Sequence, residues 1–524
     1  MRDSRLLILG LIVMMGLVWL SAPAGAVAKR AVLIFAANQD MPNVDPAVTP
    51  MSVFTASALV ALYDPLFMYH GDKMLPHLAT SATPSSDATE WTLKLNPGAK
   101  FQDGAPVTAE AVKYTFDRVL RIKKGPAWMW LPIMDERSVT VVDPHTLRIK
   151  LLKPFSLFDR TLPNLMVVNP AVVKAHDAGD DGQAWLVDHS AGSGPFKINP
   201  DNWQNGSQYE FLSDPNYWKG WPKEGHLDGY IWKIIRESSA QKLALMKGEI
   251  HGAQNISPDD LAELRKAPDV RVEQYPGVSP HRIVLHNRHE SKYLADINVR
   301  KALAYAYDYS AVPKIYAGNA DISRGPVSAV LPGFADNLPL YHYDLAKAKA
   351  SLAKSPWPKG GFSLDYDYPA GMDVAKNLGA ILLAGAAKLN IKVTLTPMVW
   401  ANVLSMRTKS ETMPQMISLW LSPLYSDADA LLYSQWDSDS WGRGNYSFYK
   451  NPKVDELIEH SRRLTDPKAR AELQIQAQRL IVEDCADIFT AVEKATYVWR
   501  ANVRGYVHTP PRERNPLFAE MWLD

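Results

Sequence analysis

The chain has 524 residues, of which 47% are hydrophobic and 22% charged, and this composition is that of an ordinary globular protein. Its 57 Lys and Arg almost balance its 56 Asp and Glu, leaving a formal net charge of +1. Such a chain has no overall electrostatic field that would attract nucleic acid or an anionic membrane, so we expect no nucleic-acid partner.

The first 26 residues have the pattern of a secretory signal peptide. Arg2 and Arg5 precede the apolar run 6–20, and small residues follow up to Ala26. A run of this length spans about 22 Å as a helix, which is short of the roughly 30 Å of a bilayer core. We expect cleavage after Ala26, or alternatively after Ala28, and export to the periplasm. An uncleaved membrane anchor is the competing interpretation.

Beyond this segment, short strand patterns alternate with amphipathic helices, which predicts a mixed α/β fold. Alternating or continuous apolar residues predict strands at 31–36, 91–95 and 146–151. Capping residues predict the starts of three helices, at Thr108, Asp296 and Asp466.

Apolar residues repeat at helical spacing after each of these caps, which predicts one buried face per helix. The expected buried residues are Val112, Phe116 and Val119; Val299, Leu303 and Ala306; and Leu473, Ala477, Leu480 and Ile481. On the first helix, Lys113 and Arg118 are expected to face solvent, and the basic residues at 118–124 are interpreted as a solvated helix end.

Cys485 is the only cysteine of the chain, so no intramolecular disulfide can form. It continues the apolar stripe of the third helix, where a small buried side chain is expected. No general base is indicated near it in sequence, so we interpret it as a core residue and not as a nucleophile.

One long segment, residues 75–118, resembles the signature region of the peptide, opine and nickel type periplasmic binding proteins, family 5. It contains the strand at 91–95, the Gly98–Phe101 turn, the Asp103-Gly104 pair and the helix that begins at Thr108. An Asp-Gly pair suits a tight turn that needs a positive φ. Two positions depart from the family pattern, Asn96 and Ala111, and neither disturbs it.

Further segments are similar to motifs of the same family and follow in the same order over roughly residues 40–510. They are Ser193-Gly-Pro-Phe, Asp214-Pro-Asn-Tyr-Trp, the helix end at 243–250, the helix at 296–308, and Asn445-Tyr-Ser with Asn451-Pro452 and Asp455. Each motif alone is weak, and their number and order carry the resemblance.

The resemblance implies a two-lobed periplasmic binding protein fold of the class II type, with an extra subdomain in the first lobe. We expect lobe one at 27–285 plus 503–524, with the subdomain at 76–190, and lobe two at 286–502. The expected hinges are the stretches 281–289 and 497–502.

The resemblance also implies a function: the periplasmic substrate-binding component of an ABC-type importer, which captures a small solute between its lobes. Its partners would be the permease subunits in the inner membrane, and the chain is expected to be a monomer without a cofactor. The ligand is left open among peptide-like, opine-like and oligosaccharide solutes.

Two alternatives on the same fold are an exported hydrolase and a sensory receptor. The sequence has no Gly-x-Ser-x-Gly elbow, phosphate loop, His-Glu-x-x-His motif or paired CxxC. Ser193 lies in Gly-Ser-Gly-Pro, where Pro195 disfavours the helix that a nucleophile elbow needs. His286 and His289 form one pair without third and fourth ligands, so no metal site and no catalytic residue is predicted.

The expected ligand-binding residues are mainly aromatic and amide side chains in loops of the two lobes. They are Gln39, Asn43, Trp400, Trp420, Tyr425, Asp427, Trp441 and Asn445. In peptide-binding relatives, a Trp is followed three residues later by an Asp that pairs with the peptide's α-ammonium.

In this chain Trp420 is followed at that position by Pro423, which has neither a charge nor an N–H. A cation without a partner in a closed cleft is unfavourable by several kcal/mol. We therefore expect weak recognition of free peptide N-termini, unless Asp427 supplies the missing counter-ion.

Overall fold

The computed structural model describes residues 30–41, 43–49, 55–221, 225–254, 256–406, 408–420, 422–510 and 515–524, without the side chains of Ala401 and Leu404. The predicted signal peptide lies outside these residues. The chain divides into two units, 1–30 and 31–524, and all helices and strands described belong to the second. Among the described helices, none is both long enough and apolar enough to cross a bilayer.

The strands are short and distributed along the whole described chain. They are β1 (Val32–Ala37), β2 (Phe67–His70), β3 (Lys73–Pro76), β4 (Ala79–Pro84), β5 (Glu90–Leu95), β6 (Val139–Asp143), β7 (Thr146–Lys150), β8 (Phe196–Gln204), β9 (Gln208–Ser213), β10 (Gly229–Ile234), β11 (Gly252–Ala253), β12 (Val270–Tyr275), β13 (Pro280–Leu285), β14 (Ala320–Ile322), β15 (Phe362–Pro369), β16 (Ile391–Met398), β17 (Met416–Trp420), β18 (Asp487–Glu493), β19 (Ala495–Arg500), β20 (Val503–Arg504) and β21 (Trp522–Leu523).

The helices alternate with these strands, so the expected mixed α/β fold is confirmed. They are α1 (Ala56–Leu62), α2 (Ala109–Ile122), α3 (Phe158–Thr161), α4 (Pro170–Ala175), α5 (Ser238–Lys247), α6 (Pro258–Leu264), α7 (Ile297–Ala306), α8 (Val312–Ile315), α9 (Leu345–Leu352), α10 (Asp373–Ala387), α11 (Trp400–Met406), α12 (Asp429–Trp436), α13 (Pro452–Arg463) and α14 (Pro467–Glu483).

The three predicted helices begin where their caps placed them. Asp296 accepts a hydrogen bond from the backbone N–H of Asn298, and Asp466 accepts two at the start of α14. Thr108 directly precedes α2, although its side chain makes no capping hydrogen bond. Cys485 lies just beyond α14, fully buried, and burial raises the pKa of its thiol to about 12. This thiol is therefore protonated and unreactive near neutral pH.

The expectation that Arg118 faces solvent is wrong. Its side chain is 1% exposed, and its two terminal nitrogens donate to the two carboxylate oxygens of Asp45 at 2.7 and 2.6 Å. Its Nε donates to the backbone oxygen of Asp181 at 2.8 Å. The partner carboxylate lies 73 residues earlier, so helical spacing alone gave no sign of this pair.

Three larger sheets organise the described strands. The first has the order β12-β19-β11-β1-β10-β9-β8, the second β14-β18-β13-β17-β15-β16, and the third β4-β5-β7-β6. In the second sheet β15 runs parallel to both β16 and β17, so the carboxyl ends of these three strands lie at one edge. The third sheet falls inside the expected subdomain at 76–190.

The chain passes between the first two sheets at two short segments of its described part. One is 276–279, between β12 and β13, and the other is Lys494, between β18 and β19. Because β13 pairs with β17 and β18, the second sheet already includes the chain from Pro280. These crossings precede the expected hinge stretches by a few residues.

Candidate functional site

An exposed apolar surface lies at the carboxyl ends of β16 and β17. Trp420 is the last residue of β17 and Trp400 the first of α11, and their rings stack with centroids 6.3 Å apart. Val399 and Trp400 are 63% and 45% exposed. We call Val399, Trp400 and Trp420 the aromatic wall. Because the three residues are neighbours, we treat this surface as a candidate contact surface.

The aromatic wall lies beside the first crossing between the two large sheets. Trp420 pairs in register with His281, near the start of β13, directly after the crossing 276–279. The hydroxyls of Ser279 and Ser422 are 2.8 Å apart, which ties the crossing to the segment after β17. In open α/β sheets, ligands bind beyond the carboxyl ends of the strands, and this edge is therefore the candidate ligand site.

His281 supports the aromatic wall from inside the sheet. Its Nδ1 lies 2.7 Å from the hydroxyl of Tyr316 and its Nε2 lies 2.8 Å from that of Ser418. Its ring also meets Trp420 edge-on, with centroids 5.6 Å apart. Burial lowers the pKa of His281 to about 4, so the imidazole is neutral at pH 7.

Because His281 is buried and neutral, we expect the folded protein to lose stability in acid. The unfolded chain, with a histidine pKa of about 6.5, takes up a proton before the folded chain does as the pH falls. The stability that the neutral His281 contributes is fully present above pH 6.5. It is lost as the pH falls towards 4, and the loss in the free energy of unfolding is about 3 kcal/mol. Between pH 7 and pH 4.5, urea denaturation should show a smaller loss of unfolding free energy for His281→Gln than for the parent protein. The control His342→Gln should lose as much as the parent, because the side chain of His342 is exposed. Equal losses in all three proteins would contradict this role.

The predicted residues after β1 lie on a firmly anchored loop. Gln39 is exposed and Asn43 is half-buried. The Asn43 side-chain oxygen accepts from the backbone N–H of Asp45 at 2.7 Å, and Asp45 is held by Arg118. Gln39 therefore remains a candidate by its exposure alone, while Asn43 shapes the turn that precedes the buried ion pair.

The segment after Trp420 is fixed to distant parts of the chain. Pro423 is buried, and the backbone oxygen of Leu424 accepts from the side chain of Asn164 at 2.9 Å. Tyr425 packs into the core around the third sheet, and its hydroxyl donates to Asp429 at 2.6 Å. Tyr425 therefore lies in a core and not on an open wall.

Asp427 takes part in a buried network of hydrogen bonds and an ion pair. One of its carboxylate oxygens accepts from the Asp429 N–H at 3.0 Å and from Gln474 at 2.7 Å. Arg470 lies 3.6 Å from the other oxygen, and the side chain of Asp427 is 5% exposed. Burial raises the pKa of this carboxyl to about 6. If the Asp427 side chain turned towards a ligand, these bonds would break. Asp427 therefore does not replace the counter-ion that is missing at the position of Pro423.

Trp441 and Asn445 hold their own loop together. The indole N–H of Trp441 and the side-chain amide of Asn445 both donate to the backbone oxygen of Tyr449, at 2.8 and 2.9 Å. Asn445 is fully buried and also donates to the oxygen of Asp437 at 3.1 Å. These contacts give both residues a structural role in the loop.

The rejected catalytic and metal candidates have structural partners. Ser193 is buried, and its hydroxyl accepts from the Asp64 N–H at 3.4 Å. A side chain at Gly194 would place its Cβ 2.4 Å from the oxygen of Ala61, so the motif serves a close backbone approach. His286 contacts the hydroxyl of Ser410 at 3.0 Å, whereas the side chain of His289 is 79% exposed.

Sequence reasoning missed the contributions of Val399, Ser279 and His281 to this edge. The sequence contained one weak signal for this surface, the apolar Val-Trp pair directly after a strand. The serine contact joins positions 143 residues apart and had no signal in the sequence.

Comparison with known proteins gives one consistent result. Residues 73–443 match the family described as bacterial extracellular solute-binding proteins, family 5 Middle. The chain is 32% identical over 504 residues, 94% of each chain, to "Probable D,D-dipeptide-binding periplasmic protein DdpA" of Escherichia coli K12. It is 28% identical over 515 residues to the glutathione-binding protein GsiB of Pectobacterium atrosepticum, covering 94% of this chain and 96% of the relative.

A solved structure shows the same fold over nearly the whole length. The ABC transporter-associated periplasmic binding protein DppA from Helicobacter pylori, in complex with the peptide STSA, superposes with a TM-score of 0.83 at 25% identity. The superposition covers 94% of this chain and 98% of that one. The two-lobed arrangement expected from the sequence motifs is thereby confirmed as the fold class.

Proposed function

The chain belongs to the family 5 bacterial extracellular solute-binding proteins, and on that premise we propose that it captures a peptide-like solute in the periplasm for delivery to the permease of an ABC importer. The D,D-dipeptide-binding and glutathione-binding relatives support a peptide-like ligand. Export would use the signal peptide at 1–26, removed after Ala26. Capture would be reversible and without chemical turnover.

The aromatic wall beside the crossing 276–279 is the observation that carries this proposal. Flat aromatic side chains contact the backbone and side chains of a peptide without requiring one particular sequence. We place lobe one at 31–275 plus 495–524 and lobe two at 280–493, joined at 276–279 and Lys494. Rotation about these two short segments would enclose a ligand between the lobes.

The same site favours ligands whose binding does not depend on a free α-ammonium. Pro423 has no charge, and Asp427 is engaged with Gln474 and Arg470. A buried cation without a partner is strongly unfavourable. The proposed ligand class is therefore a peptide-like solute that is N-blocked, or whose amine stays in solvent.

Calorimetry on the protein lacking residues 1–26 tests this function. The panel is a D,D-dipeptide, glutathione, simple L-dipeptides and the N-acetylated form of each. We expect micromolar binding of at least one peptide-like member, and N-acetylation should change its affinity by less than about tenfold. Mass spectrometry after prolonged incubation should recover the ligand intact.

Two results would contradict the proposal. Loss of all binding on N-acetylation would show that an ammonium site exists. If Asp427→Asn then also abolished binding of the free peptide, Asp427 would be that site. Failure of the whole panel to bind or to shift the melting temperature would remove the peptide-like ligand class.

A further inference from the structure

Besides the two crossings, a further contact joins the proposed lobes. The region of the third sheet, in lobe one, meets α12 and α13 of lobe two there. The guanidinium carbon of Arg462, on α13, lies 4.2 Å from the centre of the Phe155 ring and 3.7 Å from that of Tyr433, on α12. Phe155 belongs to lobe one and Tyr433 to lobe two. One cation therefore contacts an aromatic ring of each lobe, which is favourable where water is excluded.

Arg462 also bridges the lobes through hydrogen bonds. Its Nη1 donates to Oδ2 of Asp429 at 2.9 Å within lobe two, and both side chains are buried. Its backbone oxygen accepts from the backbone N–H of Ser156, in lobe one, at 2.8 Å. Lobe two thus fixes the Arg462 side chain, while lobe one binds the Arg462 main chain and contacts its guanidinium.

Two further hydrogen bonds connect lobe one to the segment that follows the aromatic wall. The Asn164 side chain donates to the backbone oxygen of Leu424 at 2.9 Å. The backbone N–H of Ser426 donates to the hydroxyl of Tyr69 at 3.3 Å. Since this segment follows Trp420, the contact between the lobes and the candidate ligand site share one stretch of chain.

Lobe two contributes few apolar side chains to this contact. The core around the third sheet includes Tyr425 and Ala430 of lobe two, and its other buried residues in the described part of the chain all belong to lobe one. Interfaces that are more polar than a protein core are typical of domains that move relative to one another. The contact therefore has the composition of a reversible interface.

We propose that this contact is a clasp, which forms as the lobes close over a solute and separates as they open. It consists of Phe155, Ser156 and Asn164 of lobe one with Leu424 and Arg462 of lobe two. The clasp rests on the proposed function, because it requires that the lobes rotate about the crossings. It stabilises the closed form, so it strengthens solute binding without touching the solute.

Hydrogen–deuterium exchange without any solute tests whether the clasp opens. The Ser156 N–H is bonded across the clasp, whereas the N–H of Leu151 is bonded to the oxygen of Thr89 at 2.8 Å within lobe one. After correction for the intrinsic rates of the two amides, Ser156 should exchange at least about tenfold faster than Leu151, because opening the clasp requires less free energy than unfolding lobe one.

Asn164→Ala removes one hydrogen bond of the clasp and should speed exchange at Ser156 roughly three- to tenfold relative to Leu151. Asn199→Ala is the matched control, because Asn199 donates to Glu210 at 2.7 Å within lobe one, and it should leave this ratio unchanged. Equal exchange at Ser156 and Leu151, or a ratio that does not respond to Asn164→Ala, would show a permanent contact and overturn the clasp.

Carbodiimide cross-linking tests whether solute binding closes the clasp. The reagent joins an amine directly to a carboxylate, and Nζ of Lys153 in lobe one lies 3.6 Å from Oδ2 of Asp439 in lobe two, with both side chains exposed. Saturating glutathione or D-alanyl-D-alanine should raise the yield of this link at least about twofold. The link between Lys242 and Glu263, whose charged atoms lie 2.8 Å apart within lobe one, should not change.

The outcomes distinguish the clasp from the proposed ligand class. A probe that binds by calorimetry and leaves the yield of the Lys153 to Asp439 link unchanged would overturn the clasp. If neither probe binds, but exchange at Ser156 responds to Asn164→Ala, the result supports the clasp and contradicts the proposed ligand class.

Discussion

Replacing Arg118 with methionine should lower the free energy of unfolding by about 3–5 kcal/mol, because the change leaves a buried carboxylate without its cation. Asp45 is fully buried and bonded through both oxygens to Arg118. Methionine fills a similar volume, so the loss reports the missing charge and hydrogen bonds and only a small cavity. Chemical denaturation at pH 7 measures the difference.

Arg121→Met provides a matched control one turn further along α2. The side chain of Arg121 is 38% exposed and pairs with Asp181, so its loss should reduce stability by less than about 1 kcal/mol. Combining Arg118→Met with Asp45→Asn should recover part of the loss, because the uncompensated charge is removed. A loss below about 1 kcal/mol for Arg118→Met would contradict the structural role of the buried pair.

Trp400→Ala should weaken binding of the peptide-like solute about 30-fold, or about 2 kcal/mol, the effect of truncating an aromatic anchor. Trp400 is 45% exposed and stacks on Trp420, so its loss removes contact area at the site and little core packing. The melting temperature without ligand should stay close to that of the parent protein. Calorimetry with the tightest ligand of the panel measures the change.

Tyr343→Ala is the comparison for Trp400→Ala, since Tyr343 is 40% exposed and belongs to a different surface, beside Asp308 and Leu340. Its removal should leave solute affinity unchanged. Trp400→Phe should retain most of the affinity, because a flat ring remains at the position. Equal affinity in the parent and in Trp400→Ala would show that the aromatic wall is not the ligand site.

Local signals in the sequence were sufficient to predict several helices and strands. Alternation of apolar residues was sufficient for β5 and β7, and cap residues located the starts of α7 and α14. These features depend on residues within about four positions of one another, so they are visible in any short window. The ordered series of weak motifs was likewise sufficient for the family.

Whether a polar side chain is available to a ligand depends on contacts that form only in the folded protein. Tyr425 and Asp427 have the residue types of a binding site, yet contacts with Asp429 and Gln474 hold both inside the protein. Arg118 has the spacing of a solvent-facing residue and is buried against Asp45. The free energy of a buried charge depends on partners that folding brings together from distant parts of the chain, and no local pattern contains that information.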